Sequence, residues 1–230
     1  MKAFLLLFCV ILFIYLYKNK VVVRFGTFLR KGFKAPSDTF GVYCFTGKQG
    51  TGKTYSVISF IDSVRQNGQK VITNVKSYCE CNDFCIYEPN MWDIIDKFNS
   101  GVYDSNYIVF YDEIFSLLEN KQKMPRKMRN FISQLRKRNL YLITTAQEWL
   151  EINVTFRRYV RYQIECKMLS YWFLPFSLSV NEINDGYSIK WSHLDNEYVS
   201  PRLKTTVKKC NKYLGDSYDT NEIIEECSAD

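Results

Sequence analysis

The stretch Gly47–Thr54 reads GKQGTGKT and matches the pattern G-x-x-x-x-G-K-T of the loop that binds nucleotide phosphates. That loop needs a strand before it and a helix after it. Both are predicted, because Gly41–Phe45 is apolar and β-rich and Tyr55–Val64 suits a helix. Glycines let the backbone curl so that N–H groups point at phosphate oxygens, beside the positive end of the helix. The predicted nucleotide-binding residues are Gly47, Lys48, Gln49, Gly50, Thr51, Gly52, Lys53, Thr54 and Tyr55.

Two side chains of this loop have specific chemical roles. Lys53 is expected to reach the β- and γ-phosphates, and Thr54 is expected to place its hydroxyl on Mg²⁺. A glycine-rich turn without a nucleotide explains neither residue. ATP and Mg²⁺ are therefore the predicted cofactors.

A second motif supplies the acids that such a loop needs. The five residues Tyr107–Tyr111 are a continuous apolar run, which is typical of a central strand covered on both faces. Asp112 and Glu113 follow at the carboxyl end of that strand, where α/β sheets bind ligands. Asp112 is predicted to hold the Mg²⁺ ion through a water molecule. Glu113 is the predicted catalytic base for the attacking water, a role that a kinase does not require.

The spacing of the two motifs indicates a subclass. Between Thr54 and Asp112 there is room for a helix, a strand at Lys70–Val75 and another helix near Asn90–Phe98. The metal-binding strand is therefore not the next strand after the phosphate loop. Together with the extra Glu, this indicates the additional-strand, catalytic-Glu class of ATPases, which includes motors and translocases.

A third strand is predicted at Asn139–Gln147, which is apolar until it ends in threonines and Gln147. A polar side chain at this tip, beside the metal-binding strand, can contact the γ-phosphate or orient water. Gln147 is the first candidate for this catalytic role and Thr145 is the second. The structural alternative is that these residues only begin a loop.

The net charge is +7, and the segment from Lys121 to Arg138 contains eight basic residues and no acidic one. Its apolar residues recur at helical spacing, which predicts one buried helical face. The basic remainder fits a solvated surface, a contact with a nucleic-acid backbone, or an arginine finger for a neighbouring subunit's nucleotide. Arg136 and Arg138 are the candidates for a catalytic finger. The apolar residues are Met128, Phe131, Ile132 and Leu135.

Three of the eight cysteines, Cys79, Cys81 and Cys85, lie close together in the sequence. Their spacing fits neither paired C-x-x-C nor Cys–His zinc sites, and the only histidine is His193. Free thiols are favoured, with a metal site as the alternative. An ATP-dependent enzyme works where ATP is present, and cytosolic thiols are reduced.

The N-terminal segment predicts a membrane anchor. Ala3–Tyr17 has no charged residue, and although it is shorter than the ~20 residues of a usual span, Lys18 and Lys20 can snorkel. No small-residue cleavage site follows, and the next charges are basic, as expected on the cytoplasmic side. We expect a single-pass protein of the inner (cytoplasmic) membrane, with its ATPase in the cytoplasm. A buried core helix is the alternative.

The sequence thus predicts an α/β fold, a P-loop NTPase with a mostly parallel sheet flanked by helices and preceded by one transmembrane helix. The predicted organisation is an anchor at 1–23, a basic juxtamembrane linker at 24–38, the ATPase domain at 39–170, and a C-terminal extension at 171–230 that packs on it and ends in an acidic tail. Within the extension, Tyr187–Trp191 is predicted to be a strand.

Three stretches, GKQGTGKT, YIVFYDE and RKRNLYLITTAQEWLEINVTFRRYVRY, together resemble the ATPase domain of the zonular occludens toxin-like proteins of filamentous-phage assembly. In that family a basic pair precedes a strand that ends in Thr and Gln, and an Arg opens the next strand. Tyr218-Asp219-Thr220 is similar to a short motif near the end of that domain. The matching residues of the third stretch are Arg136 and Arg138, Thr145 and Gln147, and Arg157 or Arg158.

The resemblance implies a membrane-anchored ATPase that drives single-stranded DNA virion assembly and export as a homo-oligomeric ring, together with phage coat or assembly proteins. In that family the membrane span usually follows the ATPase domain, whereas here it comes first. This departure raises a related interpretation, a viral DNA-packaging ATPase of the DNA-pumping type. A nucleotide-gated membrane scaffold that does not move DNA is the alternative from another class. The residues leave both single- and double-stranded DNA open.

Overall fold

A computed structural model of the chain describes Val10 and residues 40–66, 68–103, 105–118, 123–170, 176–192 and 197–219. The described strands are β1 (Gly41–Thr46), β2 (Lys70–Thr73), β3 (Cys85–Tyr87), β4 (Tyr107–Tyr111), β5 (Tyr141–Ala146), β6 (Val160–Ser170), β7 (Ser177–Asp185), β8 (Lys190–Ser192), β9 (Glu197–Val199) and β10 (Arg202–Lys209). The α-helices are α1 (Lys53–Val64), α2 (Lys76–Glu80), α3 (Met91–Asn99), α4 (Arg126–Gln134), α5 (Val154–Arg157) and α6 (Lys212–Gly215). Short 3-10 helices lie at Ile114–Ser116 and Gly186–Ser188.

The predicted anchor, residues 1–23, and the predicted linker, residues 24–38, lie outside the described residues except for Val10. Among the residues that are described, no helix has both the length and the apolar character needed to cross a bilayer. The membrane helix therefore stays a prediction.

The apolar strands form an eight-stranded sheet in the order β10-β7-β6-β1-β5-β4-β2-β3. The strands from β6 to β3 in this order run parallel to one another. Every residue of β5 is buried, and so is every residue of β4 except the first, as expected for strands that are covered by helices on both faces. The predicted α/β fold with a mostly parallel sheet is confirmed.

Helices cover both faces because successive side chains of a strand point to opposite sides of the sheet. Ile108 and Phe110 of β4 belong to the core cluster that includes residues of α1, whereas Val109 and Tyr111 belong to the cluster that includes residues of α3 and α4. The predicted apolar stripe of α4 is buried in the second cluster. Its residues are Met128, Phe131, Ile132 and Leu135.

Strand β5 lies between the strand that precedes the phosphate loop and the strand that precedes the acids. Tyr141 of β5 is aligned with Gly41 of β1 on one side and with Ile108 of β4 on the other. Strand β2, which the sequence spacing places between the phosphate loop and the acids along the chain, lies on the far side of β4, and the strand inserted between β1 and β4 in the sheet is β5. It places the carboxyl ends of β1, β5 and β4 side by side at one edge.

The C-terminal part of the described chain adds antiparallel strands to the same sheet. Strand β7 pairs with β6, and β10 pairs with β7. Strands β8 and β9 form a separate two-stranded sheet. After β10, Leu214 of α6 packs against the core cluster that contains α1.

Strand β2 is shorter than predicted and ends at Thr73 rather than at Val75. The hydroxyl of Thr73 accepts the N–H of Val75 at 3.2 Å, which turns the chain out of the strand. Asn74 lies within this turn and is buried.

The predicted strand at Tyr187–Trp191 is wrong in its first half, where Gly186–Ser188 forms a 3-10 helix and the strand begins at Lys190. The carboxylate of Asp185 accepts the N–H of Tyr187 at 3.2 Å. Asp side chains commonly bind the backbone two residues on and so favour turns over extended chain.

Candidate nucleotide-binding and hydrolysis site

The phosphate loop connects β1 to α1 through glycines with positive φ angles. Gly50 and Gly52 both have φ near 77°, and Gly47 has φ 152°. Residues other than glycine rarely adopt these φ angles. At Gly47 a Cβ atom would also lie 2.9 Å from the carbonyl oxygen of Cys166 in β6. The sequence pattern therefore reflects a backbone path that only glycine allows.

The carbonyl of Lys48 organises this loop. It accepts hydrogen bonds from the N–H and the hydroxyl of Thr51, at 3.2 and 2.7 Å, and from the Lys53 ammonium at 3.3 Å. The ammonium of Lys53 is thus held over its own loop. A phosphate oxygen is a stronger acceptor than this carbonyl because it is charged, so Lys53 is placed to exchange one for the other.

Asp112 follows β4 and meets the phosphate-loop helix. Thr54 donates its hydroxyl to Asp112 Oδ2 at 3.4 Å, and Thr145 donates its hydroxyl to Asp112 Oδ1. Burial raises the pKa of the Asp112 carboxyl, and the neighbouring Glu113 carboxylate raises it further. The two hydroxyls and the charge of Lys53 oppose that rise.

A hydroxyl and a carboxylate side by side are the oxygen ligands that Mg²⁺ takes from proteins, with waters and phosphates completing its coordination. The orientation of Thr54 and Asp112 toward each other therefore fits a Mg²⁺ ion that bridges the protein and the nucleotide. A bound cation would also offset the cost of ionising the buried carboxyl of Asp112.

Asn74, which sequence reasoning missed, fixes the backbone of Asp112. Its side-chain oxygen accepts the N–H of Asp112 at 2.8 Å, and its side-chain nitrogen donates to the carbonyl of Asp112 at 3.1 Å. This pair of bonds joins the carboxyl ends of β2 and β4. The available signal was a polar residue near the end of the predicted strand Lys70–Val75.

Glu113 has a left-handed backbone, with φ 54°, a conformation that costs a residue other than glycine on the order of 1 kcal/mol and recurs at functional sites. Its N–H donates to the hydroxyl of Thr145 at 2.8 Å. The same hydroxyl donates to Asp112, so Thr145 sets the positions of both acids. The second candidate at the tip of β5 thus contacts the acids directly.

Gln147, the first candidate at that tip, lies beside the phosphate loop. Its carbonyl accepts the N–H of Gly47 at 3.3 Å, and its side chain is partly exposed. The residue is therefore at the same edge of the sheet as Asp112, Glu113 and Thr54. Its role as a γ-phosphate contact stays a prediction.

The structure does not bring Arg136 and Arg138 to this site within one subunit. Both precede β5, and since β5 is parallel to β1 in register from Gly41, they lie at the edge opposite the phosphate loop. A strand of six residues spans about 20 Å. Arg157 and Arg158 precede β6, which is also parallel to β1, and lie at that opposite edge as well.

The cysteines of the CECNDFC stretch lie at the end of α2 and the start of β3. Within the described part of the chain, no group of three or more His, Cys, Asp or Glu side chains is arranged to hold a metal ion. Cys79, Cys81 and Cys85 are not joined in disulfide bonds.

Taken together, the site holds a phosphate loop, a lysine, a hydroxyl–carboxylate pair and a second acid at one sheet edge. Such a set is suited to bind a nucleoside triphosphate, with an acid at the same edge that is able to accept a proton from water.

The solved structures that are similar to this chain include the following three. The N-terminal domain of zonular occludens toxin from Neisseria meningitidis is 16% identical, with 78% of this chain and 98% of that chain covered and a TM-score of 0.49. The genome packaging NTPase B204 from Sulfolobus turreted icosahedral virus 2, in complex with ATP-gammaS, is 13% identical over 72% and 98% of the two chains, with a TM-score of 0.44. The flagellar accessory protein FlaH from Methanocaldococcus jannaschii is 11% identical over 73% and 89%, with a TM-score of 0.45.

Among curated protein sequences, none matches this chain. The model of the ATPase family associated with various cellular activities (AAA) matches residues 43–168, more than half of the chain. The matched range contains the phosphate loop, Asp112, Glu113 and the tip of β5. The chain therefore belongs to the AAA family of ATPases and is a P-loop ATP hydrolase.

Proposed function

We propose that this ATPase is a membrane-anchored DNA motor, in which hydrolysis of Mg²⁺-ATP moves viral DNA during virion assembly and export. Lys53 binds the β- and γ-phosphates, and Thr54 and Asp112 hold Mg²⁺. Glu113 activates the attacking water, and Gln147 contacts the γ-phosphate. In a ring, an Arg of a neighbouring subunit completes each site, and Arg136 is the exposed candidate.

One observation carries this proposal: the hydroxyl of Thr145, on the strand inserted between β1 and β4, contacts both Asp112 and the N–H of Glu113. The inserted strand and the second acid are the two marks of the ATPase class that includes motors and translocases. An acid held next to the metal ligand serves a water nucleophile. This arrangement favours hydrolysis coupled to movement over transfer of a phosphoryl group to a small molecule.

DNA is the proposed partner, since the motifs quoted above resemble those of filamentous-phage assembly ATPases. Lys123 and Arg126 are exposed at the start of α4, and α4 begins after the chain leaves the acids. They therefore lie nearer the nucleotide edge than Arg136 does. Exposed cations at this place suit a phosphate backbone, since their binding releases counterions.

A membrane anchor at residues 1–23 is the second part of the proposal. The uncharged stretch Ala3–Tyr17 and the basic residues that follow it support an inner-membrane protein with its ATPase in the cytoplasm. Flotation of the full chain with lipid vesicles after alkaline extraction tests this part. Release of the protein from the vesicles would contradict an integral anchor.

A nucleotide-gated scaffold that does not move DNA remains the second candidate, and one observation favours it. Several cations of the basic segment bind their own chain. Lys127 pairs with Asp96 at 2.6 Å, and Arg129 donates to the carbonyl of Met124 at 3.3 Å. Cations used in this way are less available to a nucleic acid.

The ATPase rate of the full chain in detergent, with and without single- and double-stranded DNA, distinguishes the two candidates. If the protein is a motor, the DNA form that it moves should raise its ATPase rate. If it packages viral DNA, that form should be double-stranded DNA. Replacing Lys123 and Arg126 by Gln is expected to weaken DNA binding and its salt dependence. The matched control replaces Lys70 and Lys190, two other exposed lysines. Hydrolysis indifferent to both DNA forms would favour the scaffold.

A further inference from the structure

The last described residues of the chain pack beside the N-terminal end of α1. The segment Cys210–Asp219, here called the C-terminal strap, follows the edge strand β10 and contains α6. Its Leu214 and Tyr218 pack against the same core cluster as α1. The strap lies outside both nucleotide motifs, yet its contacts fall next to them.

The first contact of the strap is with α1, the helix that follows the phosphate loop. The N–H of Asn211 donates to the hydroxyl oxygen of Tyr55 at 2.7 Å. Tyr55 is buried and directly follows Thr54, whose hydroxyl is the proposed Mg²⁺ ligand. The strap is thereby tied to the helical turn that carries Thr54.

The second contact of the strap is near the residues that position Asp112. The N–H of Asp219 donates to the hydroxyl oxygen of Ser77 at 2.9 Å. Ser77 lies in α2, three residues after Asn74, whose side chain holds the backbone of Asp112. The strap is thereby tied to the connection that positions Asp112.

Two other residues of the strap, Tyr218 and Cys210, also lie near the site. Burial raises the pKa of the Tyr218 hydroxyl to about 12, with the hydroxyl of Tyr55 and the carboxylate of Asp112 adding to the rise. At the other end, the thiol of Cys210 lies 3.9 Å from the sulfur of Met168. The Met168 side chain fills the space that a Cβ atom at Gly52 would occupy.

We propose that the C-terminal strap is a positioning element of the metal site and keeps Thr54 and Asp112 at the separation that Mg²⁺ requires. This inference rests on the proposed binding of Mg²⁺ by those two residues. Mg²⁺ demands near-ideal octahedral geometry with ligands at about 2.0–2.1 Å, so small relative shifts of Thr54 and of the water that Asp112 would hold weaken its binding. The strap joins the elements that carry Thr54 and Asp112, one through Tyr55 and the other through Ser77. It is therefore expected to affect nucleotide binding mainly when Mg²⁺ is present.

The test measures the affinity of the full chain for a fluorescent ADP analogue, once with Mg²⁺ and once with EDTA. Tyr55→Phe removes the hydroxyl that accepts the Asn211 N–H, and Ser77→Ala removes the one that accepts the Asp219 N–H. The control is Ser63→Ala, which removes an exposed hydroxyl at the far end of α1 that donates to the carbonyl of Phe60. Trypsin cleavage after Lys212, in α6, is followed in parallel.

We expect Ser77→Ala to bind the analogue about fivefold more weakly with Mg²⁺, the effect of one lost hydrogen bond, and to bind almost as well as the native chain in EDTA. The double variant should bind about tenfold more weakly with Mg²⁺. In the native chain, Mg²⁺ and the analogue together should slow cleavage after Lys212, and in the double variant they should not. Equal weakening with and without Mg²⁺, or no weakening at all, would overturn the proposal. If Tyr55→Phe does not fold, Ser77→Ala alone gives the same comparison.

The outcome also separates this inference from the proposed function. If the native chain binds the analogue equally well with Mg²⁺ and with EDTA, the assignment of Thr54 and Asp112 to Mg²⁺ fails. The strap is then judged by trypsin alone. If the nucleotide does not change the rate of cleavage after Lys212, the strap is not part of the nucleotide site.

Discussion

The two edges of the parallel sheet differ in what their polar side chains contact. At the carboxyl edge, Thr54, Asn74 and Thr145 each form hydrogen bonds with Asp112 and so share one network. At the opposite edge, Arg138 bonds to the end of a helix of its own chain. The difference follows from strand direction, because parallel strands bring their carboxyl ends and the positive helix ends together at a single edge. Charge near a strand end therefore indicates a site only when the direction of the strand is known.

The largest effect is expected at Lys53. Lys53→Ala removes the ammonium that lies over the phosphate loop, and each charge-assisted hydrogen bond to a phosphate contributes about 1.5–3 kcal/mol. We expect the affinity for ATP to fall at least about 100-fold and turnover to be lost. Titration calorimetry measures the affinity.

Lys48→Ala is the matched control for Lys53. The side chain of Lys48 is exposed, and the contribution of this residue to the loop comes from its backbone carbonyl, which alanine keeps. We expect nearly native affinity for this variant. Native affinity in Lys53→Ala would mean that nucleotide binds away from the carboxyl edge.

The next effect separates chemistry from binding at the same edge. Glu113→Gln keeps the shape of the side chain but cannot accept a proton from water. We expect unchanged nucleotide affinity and a turnover lower by about 10²–10⁴, the usual contribution of a general base. Single-turnover hydrolysis is the measurement, with Glu148→Gln, an exposed acid after β5, as the control. A native rate in Glu113→Gln would show that another group activates the water.

A smaller effect, on stability, comes from the buried charge of Asp112. Because burial raises the pKa of this carboxyl in the folded state, the folded chain binds the proton more tightly than the unfolded chain. The contribution of Asp112 to the stability of the nucleotide-free protein then falls as pH rises from its unfolded pKa of about 3.9 through its raised pKa in the folded state. We expect Asp112→Asn to raise the melting temperature in EDTA, with a difference that is small near pH 4 and grows toward neutral pH.

Thermal melts of both proteins across this pH range check that expectation. Asp62→Asn, at an exposed position of α1, should leave the melting temperature almost unchanged, since surface substitutions change stability by about 0.5 kcal/mol or less. A melting temperature of Asp112→Asn below the native one at neutral pH would mean that the hydrogen bonds of the carboxylate outweigh its burial.

Contacts that are local in sequence, or that follow a fixed pattern, were predictable, and distant ones were not. The loop motif and the apolar run before the acids predict Lys53, Asp112 and Glu113 as site residues, and the structure places them at one edge of the sheet. Asn74 binds Asp112 across 38 positions, and Tyr55 binds Asn211 across 156 positions. No periodicity or motif encodes such pairs, because they depend on which strands and segments become neighbours in the sheet.

The last prediction concerns the opposite edge. The guanidinium of Arg138 donates to the carbonyl of Phe98 at 2.9 Å, to the side chain of Asn99 at 3.2 Å and to that of Gln134 at 2.8 Å. Phe98 and Asn99 end α3, where a cation also interacts favourably with the helix dipole. We expect Arg138→Gln to lower the free energy of unfolding by about 1–2 kcal/mol and to leave the turnover of the folded enzyme close to native.

Arg136→Gln is the comparison, because Arg136 is exposed two positions away and removing it should cost little stability. Urea unfolding and the ATPase rate of the assembled protein are measured for both variants. If an arginine finger comes from this edge of a neighbouring subunit, Arg136→Gln lowers turnover by about 10³-fold or more without loss of stability. The reverse pattern, with turnover lost in Arg138→Gln and stability kept, would mean that Arg138 leaves α3 in the assembled ring, so that the opposite edge of one subunit becomes part of the nucleotide site of the next.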